Sequence, residues 1–309
     1  MRVTTIGGAT VDIVVEGGRW PGPAGGKQDV GAITMGVGGG AVNACLAFRA
    51  CGADARIVCA LGCDPEAEWV RSILAREGVD VSLVQSVSGQ PTGRAVIHLD
   101  TGGDVRIFAQ RGASVCVSPS RALEASGQSD LLYVSALSAQ AEAELDAALS
   151  RSAGQPPRLA VNPGSGQLQA RSAALERVLG RADLVSVNEA EARTWASGRG
   201  MELPRDLRSD GAAWMARLRV HGGQALLVTL GAGGALFDDG AQVHDLQAER
   251  IAVRSSLGAG DAFAAMLAYH WTAGCAPAKA LERARTHCGR VLRAVGANLA
   301  GQDRGGLTS

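Results

Sequence analysis

The stretch SSLGAGDAFAAML (255–267) places Gly258, Ala259 and Gly260 directly ahead of the carboxylate Asp261, and an apolar run of helical character follows at once. Two chemistries suit these residue types. In one, the glycines make a tight turn and Asp261 complements the positive end of the next helix. In the other, uncovered backbone N–H groups at a helix start form an anion site, and Asp261 stands beside it as a general base.

Three further stretches put sparse side chains and polar groups together. In GVGGGAVNACLAF (36–48), a glycine cluster that includes Gly38 and Gly39 leads into a helix with Asn43 in its first turn. The Asn43 amide suits either the hydroxyls of a sugar-like ligand or its own backbone. No Lys follows as in a P-loop, and Ala41 takes the last place of G-x-G-x-x-G, so neither fingerprint is met. DLVSVNEAEARTW (183–195) ends a buried strand in Asn188 and opens a helix with Glu189 and Glu191. Acidic residues there complement the helix dipole. Asn188 with Glu191 also offers hard oxygens to Mg²⁺, which keeps its waters and needs few protein ligands. ALLVTLGAGGALFDDG (225–240) turns from Thr229 through Gly231, Gly233 and Gly234, either as a hairpin or as a contact to nucleotide phosphates.

Something must hold these groups at one place. Buried strands are expected in RVTTIGG, ARIVCALG, DLLYVSAL, RLAVNPG, DLVSVNE and ALLVTLG. Helices are expected over 41–51, 65–77, 139–152, 170–181, 188–197 and 206–221. Such alternation argues for an α/β fold with a mostly parallel sheet covered on both faces, and ligands then bind at the carboxyl ends of the strands. Residues 12–38 and 93–110, the latter with TGGD at a hairpin turn, break the alternation and are expected to form a small β-sheet lid. The expected domain spans residues 1–300, with a polar tail over 301–309.

Composition narrows the partners. Lys and Arg number 30, as do Asp and Glu. That balance gives no reason to expect nucleic acid or an anionic membrane. No run of ~18 apolar residues occurs, and the N-terminus reads as a first strand, so a cytoplasmic protein is expected. The seven cysteines lack zinc-like spacing and are expected as buried reduced thiols, and the five histidines as structural residues.

In order and spacing, these motifs resemble the ribokinase-like (PfkB) family of sugar and nucleoside kinases over roughly residues 3–300. The resemblance implies a three-layer sandwich, ATP and Mg²⁺ as cofactors, and transfer of phosphoryl to a hydroxyl of a small sugar or nucleoside. It makes Asp261 the catalytic base and Gly258, Ala259 and Gly260 the anion hole. Asp12, Gly38, Gly39 and Asn43 match the sugar-binding positions, and Asn188-x-x-Glu191 matches the motif for Mg²⁺ and phosphate, with Glu191 acting through water. Thr229, Gly231 and Gly234 fall in the nucleotide segment. A homodimer formed through the lid is the implied assembly. A sugar kinase is favoured; an adenosine- or pseudouridine-type nucleoside kinase and a non-catalytic sugar-binding protein are the alternatives.

The chain departs from the family pattern at several places. Ser255-Ser256-Leu257 stands where Asp-Thr-Thr is usual, and that Asp commonly helps bind a monovalent cation, so little K⁺ dependence is expected. Ala136 stands where ribokinases place a Glu on the sugar, and Gly40 where they carry a Lys. Trp20 and Phe108 fall in the lid segments, where they either meet a substrate or cover the lid's own apolar face. Arg94, Arg106 and Arg111 are the candidates for holding a phosphorylated substrate.

Overall fold

Runs of apolar residues that do not alternate with polar ones need cover on both faces, and the chain supplies it. The computed structural model describes residues 1–18, 27–100, 105–120, 129–151 and 156–300. Trp20, the TGGD turn and the 301–309 tail lie outside the described residues. The central sheet is built from β1 (Arg2–Ile6), β4 (Asp54–Val58), β9 (Leu131–Val134), β10 (Arg158–Val161), β11 (Leu184–Asn188), β12 (Ala225–Thr229), β13 (Ala235–Asp238) and β14 (Val243–Leu246). Its order is β14-β13-β12-β11-β10-β9-β1-β4. All neighbours from β4 to β12 run parallel, while β13 and β14 are antiparallel.

One face of the sheet packs on α1 (Gly40–Ala50), α2 (Pro65–Arg76), α8 (Ala259–Thr272) and α9 (Pro277–Leu292), through side chains such as Phe48, Leu74, Phe263 and Leu281. The other packs on α3 (Ala139–Arg151), α4 (Ser165–Ala170), α5 (Ala173–Leu179), α6 (Glu189–Gly198) and α7 (Gly211–Leu218), through Leu145, Leu168, Leu175, Trp195 and Trp214. The two buried layers make the expected sandwich.

The lid is a separate four-stranded sheet of β3 (Ala32–Gly38), β2 (Thr10–Glu16), β7 (Gly93–Leu99) and β8 (Val105–Gln110), in that order. Its two halves are the segments that interrupt the alternation, and β5 (Ala60–Leu61) and β6 (Gln85–Ser86) pair in parallel as a further two-stranded sheet. Val14, Ala95, Ile97 and Leu99 on its inner face pack with Leu257 and Val295 of the body. Met35, Ile13, Val96 and Phe108 pair across the four strands on the opposite face.

Three expectations need correction. The helix over 170–181 is two helices. Arg171 takes a left-handed φ of 53°, and Ser172 starts α5 afresh by accepting a hydrogen bond from the Leu175 amide at 2.9 Å. The helix over 206–221 is confined to Gly211–Leu218, its start marked by Asp210 at φ 52°. The cysteines are free, but Cys63 and Cys116 are exposed; Cys45 and Cys59 are buried, and burial pushes both thiols up to about 12.

Candidate active site

The carboxyl ends of the parallel strands and the first turns of α1, α6 and α8 meet below the lid. Gly258 caps α8 with φ 69°, a conformation that costs glycine little. A β-carbon there would lie 1.9 Å from the Ala297 carbonyl oxygen, so bareness at Gly258 also serves backbone packing. The Ala259 amide donates to the Ser256 carbonyl at 3.3 Å. Gly260 is different: it is exposed, and a β-carbon would meet nothing within 4 Å.

Asp261 follows in the first turn. It keeps some surface open to solvent, yet protein crowds it from several elements. Burial, countered by a hydrogen bond from Asn43 and reinforced by the charges of Glu191 and Asp12, lifts its pKa from 3.8 to about 6. Asn43 Nδ2 donates to Asp261 Oδ2 at 2.9 Å. Asn298 Nδ2 in turn donates to Asn43 Oδ1 at 2.9 Å and to the Val37 carbonyl at 2.7 Å. Sequence reasoning missed Asn298, a single amide in a loop with no motif around it. It also missed Tyr133, whose buried hydroxyl has no hydrogen-bond partner among the described residues. Burial first, then the Asp261 and Glu191 carboxylates, push that phenol well above its ordinary range.

Asp12 lies on β2 at the base of the lid. It is buried, which raises its pKa, and the Thr10 hydroxyl donates to it at 2.7 Å. Gly38 must be bare, because a β-carbon would fall 1.9 Å from Asp12 Oδ2. Gly39, at φ 94°, lies against the Gly8 backbone, where a β-carbon would be 2.5 Å from the carbonyl oxygen. A β-carbon on Gly40 would sit 4.0 Å from Asp261 Oδ1 and 2.9 Å from Ser135 Cβ, so no larger residue fits without moving Ser135. Between the inner lid and the body runs a cleft of about 380 Å³, lined in part by Asp12, Val14, Thr34, Val295 and Asn298.

Toward the other end, Asn188 and Thr229 pair in register at the tips of β11 and β12. Asn188 and Glu191 form a capping box. The Asn188 side chain accepts from the Glu191 amide and Glu191 Oε2 accepts from the Asn188 amide, both at 2.9 Å. Ser165 donates to Glu191 Oε1 at 3.0 Å. Gly231, at φ 56°, opens onto free space, whereas Gly234 lies against β14, with a β-carbon position 2.0 Å from the Leu246 carbonyl oxygen. The structure thus brings Asp261, Asn43, Asp12 and Glu191 into one electrostatic neighbourhood and pairs Asn188 with Thr229. It commits Gly39, Gly234 and Gly258 to close backbone contacts. Phe108 lies on the lid face opposite Asp12, and Arg94 is ion-paired with Glu66 at 2.6 Å.

A three-layer α/β body carrying a four-stranded lid over its strand ends defines the ribokinase-like fold class. The chain belongs to the pfkB family of carbohydrate kinases, whose sequence model matches residues 2–301. It is 24% identical over 229 residues to a ribokinase of Haemophilus influenzae, covering 73% of this chain and 71% of that protein. Among solved structures, the ribokinase of Arabidopsis thaliana complexed with ribose and ATP superposes with a TM-score of 0.79 at 21% identity, over 96% of this chain and 94% of that one. A nucleoside kinase of Burkholderia thailandensis in complex with inosine gives 0.76 at 21% identity, over 96% and 93%.

Proposed function

We propose that this chain is an ATP-dependent phosphotransferase acting on a hydroxyl of a small uncharged sugar, with a nucleoside as the alternative acceptor. The observation that carries the reading is the placement of Asp261: a crowded carboxylate at a helix start, held by Asn43, beside the open Gly260. With its pKa lifted to about 6, it is ionised at neutral pH and a better base than an ordinary carboxylate.

Asn188, Thr229 and Gly231 would hold ATP as the phosphoryl donor, and Mg²⁺ would supply neutralisation of the phosphate charge. The chain fits both. Gly231 leaves free space at the strand end, and Glu191 and Asn188 offer hard oxygens. Among the described residues no three acidic, His or Cys groups cluster into a metal cage. Mg²⁺ keeps most of its waters and needs no such cage, so Glu191 would hold it through water. Asp12, Asn43 and the Gly38–Gly39 turn orient the acceptor. Asp261 takes the proton of the attacking hydroxyl, while the Gly260 amide and the N-terminus of α8 stabilise charge on the group in transit.

Two features favour a neutral sugar. Arg94 is tied up with Glu66, which removes one of the three basic candidates for a phosphorylated acceptor. Phe108 lies on the wrong face of the lid to stack on a base. Steady ADP release across a panel of pentoses, hexoses and nucleosides tests the reading, with at least one neutral sugar expected to drive it. Sugar binding with no ADP release on any acceptor would overturn it in favour of a binding protein.

The apolar row of Met35, Ile13, Val96 and Phe108 supports a homodimer formed through the outer lid face, since Met35, Val96 and Phe108 are exposed. Val96→Glu is expected to shift sedimentation from dimer to monomer. Free cysteines fit a reducing, cytoplasmic setting.

A further inference from the structure

We infer that Asn298 is a positioning residue, fixing the Asn43 side-chain amide so that it presents a donor, and not its oxygen, to Asp261. The inference rests on the reading of Asp261 as the base.

The two ends of an Asn amide have nearly the same shape, and only their hydrogen-bond partners decide which way round the group sits. For Asn298 the partners are two backbone groups, and each can play one role alone. The Val37 carbonyl can only accept, and it takes a hydrogen from Nδ2 at 2.7 Å. The Ala300 N–H can only donate, and it gives to Oδ1 at 3.1 Å. Asn298 therefore has one orientation. Its second Nδ2 hydrogen goes to Asn43 Oδ1 at 2.9 Å, which sets Asn43 in turn and leaves Asn43 Nδ2 facing Asp261 Oδ2 at 2.9 Å. Asn43 is buried, so a flipped amide would hold its oxygen against the carboxylate with little water to relieve it.

Two neighbouring carboxylates work against the ionisation of Asp261. Glu191 from α6 and Asp12 from β2 are both acidic, and the buried Tyr133 phenol from β9 feels the Asp261 charge. The Asn43 hydrogen bond opposes them, alongside the N-terminus of α8. Val37 belongs to β3 of the lid, so lid, loop and body meet in one hydrogen-bonded chain that ends at the base.

The test uses Asn298→Ala, which removes both donors, and Asn298→Asp, which offers only acceptors and invites Asn43 to flip. Two readouts are compared with the parent: the acid limb of kcat/KM, and the carboxyl ¹³C titration of Asp261, assigned with Asp261→Asn. In Asn298→Ala both are expected to move up by about one pH unit, and in Asn298→Asp by more. A titration unmoved in both variants overturns the inference, and so does a loss of thermal stability without that movement. The titration needs no turnover. A chain that phosphorylates nothing in the acceptor panel yet shows the shift would sink the kinase reading alone and leave the role of Asn298 standing.

Discussion

Gly258 and Ala297 are in backbone contact: a β-carbon on Gly258 would lie 1.9 Å from the Ala297 carbonyl oxygen, at a φ of 69°. Two residues on, Gly260 faces open space. The two glycines should therefore fail in different ways. Gly258→Ala is expected to destabilise the fold by roughly 1–3 kcal/mol, read as a lower unfolding midpoint. Gly260→Ala sits in a helical turn, so stability should hold or rise by up to about 1 kcal/mol. Its methyl group nevertheless holds a phosphoryl group off the amide, and kcat should fall on the order of tenfold. Full activity in Gly260→Ala would remove that amide from the mechanism.

Asp261→Asn should lower kcat by a factor on the order of 10²–10⁴, and parent kcat/KM should drop as pH falls below about 6, where the base takes up its proton. Stability moves the opposite way. The folded carboxyl titrates near 6 and the unfolded one near 3.8. Its contribution is thus fully present below the unfolded value and is lost as pH rises through the folded one. The Asn variant, which never ionises, should be more stable than the parent by on the order of 1–3 kcal/mol at pH 7.5 and no more stable at pH 3. Denaturant titrations at the two pH values decide it. Equal stabilities at pH 7.5 would mean that water reaches the carboxylate freely.

Glu191→Gln separates a helix cap from a metal contact. A glutamine oxygen can still accept from the Asn188 amide, so the unfolding free energy should stay within about 0.5 kcal/mol of the parent. The lost charge should raise the Mg²⁺ concentration for half-maximal rate by roughly tenfold. It should also lower the Asp261 pKa, because the Glu191 charge helps to raise it. An unchanged Mg²⁺ requirement would leave Glu191 as a cap and nothing more.

The Ser255 hydroxyl is buried and accepts from the Leu257 amide at 3.2 Å, while the Leu257 side chain packs against the inner lid. A monovalent cation beside the anion hole finds no carboxylate at either position, and a neutral hydroxyl is a weaker partner for it. Replacing K⁺ by a bulky organic cation at constant ionic strength should change kcat by less than about threefold. A steep K⁺ requirement would show that backbone carbonyls suffice.

The parts of this molecule that sequence made legible are those whose cause is local. Runs such as ALLVTLG read as strands because burial on both faces leaves no polar alternation. The lid segments read as interruptions of a βα rhythm. Asn188 and Glu191 admitted two readings, and the capping box satisfies the local one while leaving the carboxylate near Asp261. What stayed hidden depends on distant backbone. The break at Arg171 turns on one left-handed residue, and the bareness of Gly234 and Gly258 on the carbonyls of Leu246 and Ala297. Asn298 sits in AVGANLAG, where nothing periodic marks it, and its partners lie far away in the chain.

That distance has a consequence for the order of folding. Asn43 is 218 residues from Asp261 and 255 from Asn298 in sequence. Most sheet pairings that support them close over far shorter spans, and closing a longer loop costs more chain entropy before its contacts repay it. The base is thus expected to be among the last contacts to form. On dilution from denaturant, the return of catalysis should trail the return of far-ultraviolet ellipticity, and a nearly folded chain should be a catalytically silent one.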